Sequence, residues 1–578
     1  RVQFRYIGNH SCMISNAIGA QCNRLDNKFH LAGAEKRELC VALAEVSAGE
    51  ASASKADFRS RRPHELPIAP PRPEAVRFPR MSETERPQAS SSPRKQNRAA
   101  TEVFAIYGVE PEVQAYAMAK YSRSALSMKE SLKEISEQKA EKFLNTFYFQ
   151  YGHRSIADLA HAAFAIERLS LLAAIVLVDE QRWDGQERST RYQDFSHPDY
   201  YTPDFPGGES PLNRLYRETI DFLFSEYREL SEAVFQQLTS RIPKPAEMKA
   251  DYYERTLRAR AFDVARYLLP LATNTSLGQI VNARTLENQI SRLLSHTHSE
   301  VRELGELLKQ AAREPAYNLK ADKPVRVAPT LVKYADPSPY LLESRRELQQ
   351  AAAELMGDAA VAPAPAVDLL DHEPVEIELP TTLLYEHCHY PYRQVRERVE
   401  ALSQARRQEV VGLSARHRGE HDELLRAFCA GQKFRFDILM DIGGFRDLHR
   451  HRRCIQIGQG FTTAHGYDTP EEVASGGWRS RYESAMQRAA NAAAELTAAG
   501  EPESSQYLIP LACRKRTLFK MDFAEVVYIT ELRTGPAGHF SYRHIAWQMY
   551  EAVAQRHPAL ACYFRVQDPR EPGDLLQR

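Results

Sequence analysis

A short polar segment, Glu187 to Tyr192, combines the residue types that bind a phosphate monoester. Arg191 carries a planar fork of N–H donors, Ser189 carries a hydroxyl, and the loop around them offers backbone N–H groups. The alternative interpretation is a solvated polar loop without a ligand. The segment therefore predicts an anion site that needs support from elsewhere in the chain.

Basic residues are concentrated in a second segment, Arg446 to Arg453. A run of this kind is usually a solvated helix face, or a nucleic-acid patch when it is repeated. It directly follows the apolar stretch 438–442, so we expect at least one of its arginines to point into a cleft. Arg533 likewise follows an apolar stretch, 526–529, and should lie at the end of a buried element.

The sequence Glu386-His387-Cys388-His389 contains residue types that ligate metals. Adjacent residues cannot all face one ion, and no second ligand pair lies nearby in the sequence. We therefore predict no metal site.

The overall charge is balanced, since Lys plus Arg and Asp plus Glu each number 76. We predict no nucleic-acid partner, because no net field attracts a polyanion and any anion site must be local. The longest uncharged apolar run, Leu169 to Val178, is too short to cross a bilayer, so we predict a buried helix there and no membrane partner. The eight cysteines form no C-x-x-C pair and follow no secretory leader, which favours the cytoplasm.

Composition and periodicity divide the chain. Residues 59–100 are dense in Pro, Arg and Ser, which is typical of disorder. Amphipathic helical periodicity begins at about 102, and an Ala- and Pro-rich stretch over 351–371 is typical of a linker. The predicted parts are a disordered N-terminal extension (1–100), a first domain (101–335), a linker (336–374), a second domain (375–567) and a tail (568–578).

The two predicted domains share a sequence. Arg266 to Ala272, R-Y-L-L-P-L-A, matches Gln506 to Ala512, Q-Y-L-I-P-L-A, at an offset of 240 residues. A match of this length predicts that the second domain is a diverged copy of the first.

The order of these segments resembles that of the flavin-dependent thymidylate synthases (ThyX). That family has a G-H-x-S segment, a helix ending in R-H-R, an S-x-R-Y sequence, and later A-R-x-x-L-P, N-x-R and L-R sequences. In the first domain the R-H-R positions are Asp179-Glu180-Gln181, and the terminal arginine is displaced to Arg292, beside Leu293. The first-domain residues that match are Gly152, His153, Ser155, Ser170, Glu187, Ser189, Arg191, Tyr192, Arg266, Pro270, Asn282 and Arg284.

The second domain keeps the R-H-R and L-R motifs that the first domain has lost. R-H-R is intact as Arg450-His451-Arg452 and L-R as Leu532-Arg533, whereas S-x-R-Y has become Gly460-Phe461-Thr462-Thr463. Gln506 replaces the A-R-x-x-L-P arginine, and Asp447 replaces the glutamine that precedes R-H-R in the family.

The resemblance implies two tandem α+β domains that form a pseudo-dimer. Family sites form between subunits of a homotetramer, so a fused pair can keep one composite site while the other decays. The resemblance also implies reductive methylation of dUMP to dTMP, with FAD as cofactor and NADPH and methylenetetrahydrofolate as co-substrates, in a homo-oligomer of two such chains.

The resemblance implies a role for each matching residue. Arg533 and Arg450 would be catalytic; Glu187, Ser189, Arg191 and Arg266 would bind the nucleotide; and Arg450, His451, Arg452, His153, Ser155, Asn282 and Arg284 would bind the cofactor. We expect Ser189 and Arg191 to face Arg450, His451 and Arg533 across one cleft. We also expect an anionic ligand to neutralise this concentrated positive charge.

Three further functions stay open at this point. The losses in each copy fit a catalytically inactive protein that binds a nucleotide or flavin. The retained arginines also fit a relative that modifies another pyrimidine nucleotide. A purely structural or interaction protein would have no evident use for them.

Overall fold

The computed structural model describes residues 108–120, 128–134, 142, 154–317, 324–420, 422–571 and 575–576. The predicted N-terminal extension and His153 lie outside the described residues, and only the backbone of Ser155 is described.

The first domain combines helices with a small antiparallel sheet. In the sheet, β3 lies between β1 and β2, and Glu187 at the end of β2 lies opposite Leu277 of β3. The described elements are α1 (Pro111–Lys120), α2 (Met128–Glu134), a 3-10 turn (Arg154–Leu159), β1 (His161–Ser170), α3 (Leu171–Leu177), β2 (Asp184–Glu187), α4 (Pro211–Arg241), α5 (Ala250–Ala265), a 3-10 turn (Arg266–Leu268), β3 (Asn274–Asn282), α6 (Ala283–Leu294) and α7 (Ser299–Arg313).

The second domain repeats this order. Its sheet has the strand order β4-β5-β7-β6, in which β5, β7 and β6 correspond to β1, β3 and β2. The described elements from residue 339 onward are α8 (Pro339–Met356), β4 (Val367–Leu369), α9 (Val375–Tyr385), α10 (Tyr392–Glu400), α11 (Gln404–Leu413), a 3-10 turn (Arg426–Phe428), β5 (Phe434–Asp441), α12 (Ile442–Leu448), β6 (Ile455–Gly458), α13 (Glu471–Ser475), α14 (Arg479–Ala498), α15 (Pro502–Gln506), β7 (Arg514–Met521), α16 (Phe523–Arg533), α17 (Phe540–Arg556) and a 3-10 turn (Pro558–Tyr563).

The shared Y-L-x-P-L-A segments pair with each other across a pseudo-twofold axis. Leu271 N donates to Ile509 O (2.9 Å), and Leu511 N donates to Leu269 O (2.9 Å). Pro270 and Pro510 lie opposite each other at the centre. Each bond is reproduced by adding or subtracting 240 residues, so the prediction of two similar α+β domains that form a pseudo-dimer is confirmed.

A helix directly follows each of β1, β3, β5 and β7, and the residue at that junction caps the helix with its side chain. Ser170, Asn282, Asp441 and Asp522 each accept a hydrogen bond from the backbone N–H three residues later, at 2.7–2.9 Å. Such caps satisfy N–H groups that have no partner within the helix. They fix the direction in which α3, α6, α12 and α16 leave the two sheets.

The two domains share a continuous apolar core. Helix α4 buries residues at three- and four-residue steps, including Ile220, Leu223 and Tyr227, and packs against α14 of the second domain. The same cluster of buried side chains contains the Pro-flanking leucines of both domains. Among the described residues, no helix combines the length and hydropathy that crossing a bilayer requires.

Much of the segment predicted to be a linker, 336–374, has regular structure. Residues Pro339–Met356 form α8, whose Ala-rich sequence has high helix propensity, and Val367–Leu369 pairs with β5. The segment therefore contributes a helix and an edge strand, while the predicted domain boundaries stay predictions.

Candidate composite site

The polar segment after β2 forms a tight turn. Ser189 Oγ accepts a hydrogen bond from Arg191 N (3.2 Å), and Tyr192 N and Gln193 N donate to Ser189 O. The side chain of Ser189 is partly buried and that of Arg191 is buried. The turn directs Thr190 and Arg191 toward the second domain.

An arginine of the second domain binds this turn. Arg446, on α12, is 8% exposed, and its Nη2 lies 2.5 Å from Glu187 Oε1. Its Nη1 donates to Thr190 Oγ1 (3.3 Å). One arginine of the basic run thus points into the contact between the two copies, as the sequence predicts.

Arg191 is held by partners from both domains. It donates to both carboxylate oxygens of Asp263 (2.7 and 3.3 Å), to Tyr542 Oη (3.0 Å) and to Ala537 O (3.2 Å). Burial opposes its charge, but the adjacent Asp263 carboxylate raises the pKa of Arg191 above its ordinary value. Arg191 is therefore a fixed cation at the interface of the two domains.

His451 and Arg533 are in direct contact. Arg533 Nε donates to His451 Nε2 (2.8 Å), and His451 Nδ1 lies 3.7 Å from Glu525 Oε1. Burial lowers the pKa of His451, so the ring is neutral at pH 7 and Nε2 can accept. Arg533 also lies 5.5 Å from the centre of the Tyr542 ring, whose hydroxyl binds Arg191. Tyr542 therefore links the retained arginines of the two copies.

The two arginines of R-H-R differ in position. The Arg452 guanidinium lies over the ring of Trp183 in the first domain, 4.9 Å from its centre, and burial lowers the pKa of Arg452 to about 10. The side chain of Arg450 is exposed and does not belong to this contact network. Of the residues expected to share one cleft, Arg191, His451 and Arg533 are thus connected, whereas Arg450 lies at the surface.

Several buried guanidinium N–H groups have no hydrogen-bond partner among the described residues. Arg266 is 2% exposed; its Nη1 lies 3.5 Å from Thr190 Oγ1 and 3.8 Å from Asp447 Oδ2, while its Nε and Nη2 have no partner. The same holds for Arg446 Nε and Arg452 Nη2. Because Arg266 and Arg446 both donate to Thr190, two arginines from different copies converge on one hydroxyl. Buried donors without partners are costly unless a ligand or water binds them.

Two arginines of this site have carboxylate partners within the chain, and the expected anionic ligand stays a prediction. Asp263 pairs with Arg191, and Glu187 pairs with Arg446, so carboxylates of the chain itself neutralise these two arginines. Asp447 forms a longer ion pair with Arg266 (3.8 Å), a distance beyond that of a hydrogen bond.

Two residues predicted to bind the cofactor lie outside this network. Asn282 Oδ1 accepts from Thr285 N (2.8 Å) and caps α6. Arg284 pairs with Glu423 (2.6 Å) and Asp158 (3.5 Å) and lines a separate cavity.

That cavity occupies the position related to the composite site by the pseudo-twofold axis. Its volume is about 740 Å³, and its walls contain Asp179–Gln181, Gly460, Phe461 and Gln506. These are the positions at which each copy has lost the family residues. The chain therefore has two non-equivalent sites at pseudo-symmetric positions.

Sequence reasoning missed several members of the composite site. Arg446 was included only as part of a basic run, and Thr190 only as part of a polar segment. Asp263, Glu525 and Tyr542 had no local pattern to reveal them, because their partners are distant in the sequence.

Part of the segment from Glu386 to His389, for which we predict no metal site, lies at the second cavity. Glu386 and His387 line its wall, while Cys388 is buried and donates to Tyr385 O (3.6 Å). Within the described ranges, no group of three or more His, Cys, Asp or Glu side chains is arranged to hold a metal ion.

Comparison with known proteins gives matches in both domains. The family model for thymidylate synthase complementing protein (Thy1) matches residues 106–316 and 391–559. UPF0159 proteins of Chlamydia pneumoniae and Chlamydia muridarum are 30% and 31% identical over 506 and 504 residues, covering 81% of this chain and 92% of each relative. A flavin-dependent thymidylate synthase of Clostridium tetani is 28% identical over 233 residues, which cover 40% of this chain and 85% of that protein.

A solved structure also matches. The crystal structure of the flavin-dependent thymidylate synthase ThyX of Helicobacter pylori, complexed with FAD and dUMP, is 17% identical and covers 35% of this chain and 89% of that chain, with a TM-score of 0.24.

Proposed function

The chain belongs to the Thy1 family of thymidylate synthase complementing proteins, and from that premise we propose that it is an FAD-dependent thymidylate synthase with one composite active site. The proposed reaction is the reductive methylation of dUMP to dTMP, with methylenetetrahydrofolate as carbon donor and NADPH as reductant.

The observation that carries this proposal is the group of unused guanidinium donors at the contact between the copies. Arg266 of the first domain and Arg446 and Arg452 of the second have buried N–H groups without partners in the described structure. Guanidinium groups bind phosphates and anionic ring oxygens through charge-assisted hydrogen bonds. The donor set therefore fits a nucleotide.

Each residue has a proposed role in binding or orientation. Arg266 and Arg446 would hold the anionic part of dUMP, and Ser189 and Arg191 would shape the turn that presents Thr190. Asp263 and Tyr542 fix Arg191, so its role is to hold the site closed between the domains.

Arg533 would place a fixed positive charge near the uracil, and the exposed Arg450 would contact the flavin from the surface. A fixed cation close to an atom that gains negative charge in the reaction is the kind of preorganised stabilisation that dominates many enzymes. The neutral His451 orients Arg533 through its Nε2. When bound, FAD would supply the redox chemistry, and Arg452, over Trp183, has a free donor suited to hold it.

A second candidate is a catalytically inactive protein that binds a nucleotide or flavin. The pairing of Arg191 with Asp263 and of Arg446 with Glu187 favours it, because these carboxylates compete with a phosphate for the same donors. Homo-oligomer formation by two such chains, and a cytoplasmic location, stay predictions.

The visible spectrum and product formation of the full chain test both candidates. With FAD added, we expect a bound flavin spectrum, and with dUMP, NADPH and methylenetetrahydrofolate we expect dTMP. Bound FAD or dUMP without dTMP would support the inactive alternative. A protein that binds neither would refute both.

A further inference from the structure

The second cavity differs from the composite site in chemistry as well as position. Two of its acidic residues form ion pairs within the chain: Asp179 lies 2.5 Å from Arg426, and Glu180 lies 2.8 Å from Arg292. At the positions equivalent to the arginines of the composite site, the second cavity therefore has no unpaired charge.

Two cations of the cavity wall have no carboxylate within ion-pair distance among the described residues. Lys515 is 6% exposed, and its Nζ donates to Gln459 O. Arg345 donates to Ser295 O (2.8 Å). Glu386 lies in the same wall but forms no ion pair with either cation. Lys515 is buried and Arg345 is partly buried, and the charge of Glu386 favours both cations only from a distance. Desolvation remains the larger effect on each, so an anion in direct contact would relieve that cost.

Aromatic rings surround the buried lysine. Lys515 Nζ lies 4.5 Å from the centre of the Phe461 ring and 5.5 Å from that of Phe445. Leu172 and Ile175 extend this apolar surface along the cavity wall. A flat ring can pack against these side chains while a group attached to it reaches Lys515.

Unpaired neutral polar atoms complete the wall. His298 Nε2, His449 Nε2 and Thr517 Oγ1 are buried without a hydrogen-bond partner in the described structure, and His449 Nε2 lies 3.8 Å from Asp179. Burial lowers the pKa of His298 and His449 to about 4, so both imidazoles are uncharged at pH 7, and it lowers the pKa of Lys515 to about 8, so that lysine is largely protonated.

From this geometry we propose that the second cavity binds a small planar aromatic molecule with an anionic group, with the ring against Phe461 and the anion at Lys515 and Arg345. The cavity volume of about 740 Å³ accommodates such a molecule. The anion is a carboxylate or a phosphate. The site is distinct from the composite nucleotide site, since the phosphate-binding arginines of that site are replaced here.

The pseudo-symmetry provides a matched substitution. Lys515 of β7 corresponds to Thr275 of β3 at the 240-residue offset, so Lys515→Thr installs the residue found in the composite copy. Arg266→Gln is the matched control, because it installs the residue found at 506 and alters only the composite site. If Lys515→Thr fails to fold, Arg345→Gln tests the same proposal at a partly exposed position.

The experiment is isothermal titration of the full chain with three probes that share one ring: 4-nitrobenzoate, 4-nitrophenyl phosphate and the neutral 4-nitrobenzyl alcohol. We expect one of the two anions to bind and the alcohol not to bind, and the anion that binds identifies the anionic group. Loss of one charge-assisted bond should weaken binding about tenfold or more in Lys515→Thr, while Arg266→Gln should bind like the parent. Binding of neither anion, or equal binding by the parent, Lys515→Thr and Arg345→Gln, would overturn the proposal.

Discussion

Replacing Arg266 by glutamine gives a sharp test of the composite site. Gln506 is the natural counterpart of Arg266 in the second copy, so the chain itself shows that glutamine is compatible with this backbone. The guanidinium lies against the first turn of α12, where an added Cβ on Gly443 would be 3.5 Å from its Cζ. Glutamine is shorter and neutral, so it removes the charge without a steric clash.

The expected loss of nucleotide affinity follows from the unpaired donors. Arg266 Nε and Nη2 have no partner among the described residues, so both are available to an anion. Losing one charge-assisted hydrogen bond costs roughly 1.5–3 kcal/mol, which corresponds to about a 10- to 150-fold increase in Kd for dUMP.

The stability of the unliganded protein should change in the other direction. A buried donor without a partner costs about 1–3 kcal/mol, and Arg266→Gln removes such donors together with a buried charge. We expect the thermal midpoint of the unliganded variant to equal or exceed that of the parent. Weaker dUMP binding together with an equal or higher thermal midpoint would identify Arg266 as a ligand-binding residue, whereas an arginine that only packs would lower the midpoint and leave dUMP binding unchanged.

The assay is calorimetric titration with dUMP together with thermal unfolding. Arg453→Gln is the control, because Arg453 belongs to the same basic run but is exposed and pairs with Asp522. The control should bind dUMP like the parent. A lower thermal midpoint with unchanged dUMP affinity in Arg266→Gln would refute the reasoning.

Three further predictions concern the site and its support. Arg446→Met should lower the thermal midpoint strongly, since it breaks the ion pair with Glu187 and breaking a buried ion pair costs about 3–5 kcal/mol. Adding Glu187→Gln should recover part of this loss, and strictly additive effects of the two substitutions would contradict the prediction. Burial raises the pKa of Asp441 to about 6, so the folded state binds more protons than the unfolded state between about pH 4 and 6, and ionisation lowers stability as pH rises through that window. Asp441→Asn keeps a capping oxygen but cannot ionise. The thermal midpoint of this variant should therefore rise relative to that of the parent as pH increases through the window, and the difference should stay constant at higher pH. A difference that is the same at every pH would count against this. Arg191→Ala should weaken dUMP binding and spare flavin, whereas Arg450→Ala should weaken flavin retention first, as measured by dUMP titration and the visible spectrum; the reverse order would exclude these roles.

The fold was predictable from sequence because its determinants are local or repeated. The Y-L-x-P-L-A repeat at a fixed offset revealed the duplication, and those same segments form the pseudo-twofold contact. The region 336–374 was less predictable. Alanine is frequent both in linkers and in helices, so the composition of Pro339–Met356 did not reveal that it forms α8.

The site was predictable only in part, because much of it depends on tertiary contacts. Arg191, His451 and Arg533 could be named because they match motifs of the ThyX family that the chain resembles. Their partners could not: Asp263 lies 72 residues from Arg191, and Tyr542 lies 351 residues from it. No periodicity or local motif connects positions so far apart.

A duplicated chain can have different residues at its two symmetric sites, whereas a homodimer cannot. In a homodimer, each residue occupies both symmetric sites, so a buried lysine added at one site is added at the other. Here Lys515 lines the second cavity, while the equivalent position in the first copy is Thr275. A lysine at 275 would bring another buried cation toward the site of Arg266 and Arg446, where like charges raise each other's energy. The symmetric backbone pairing keeps both sites in place, and the fused chain can hence give each site its own charge.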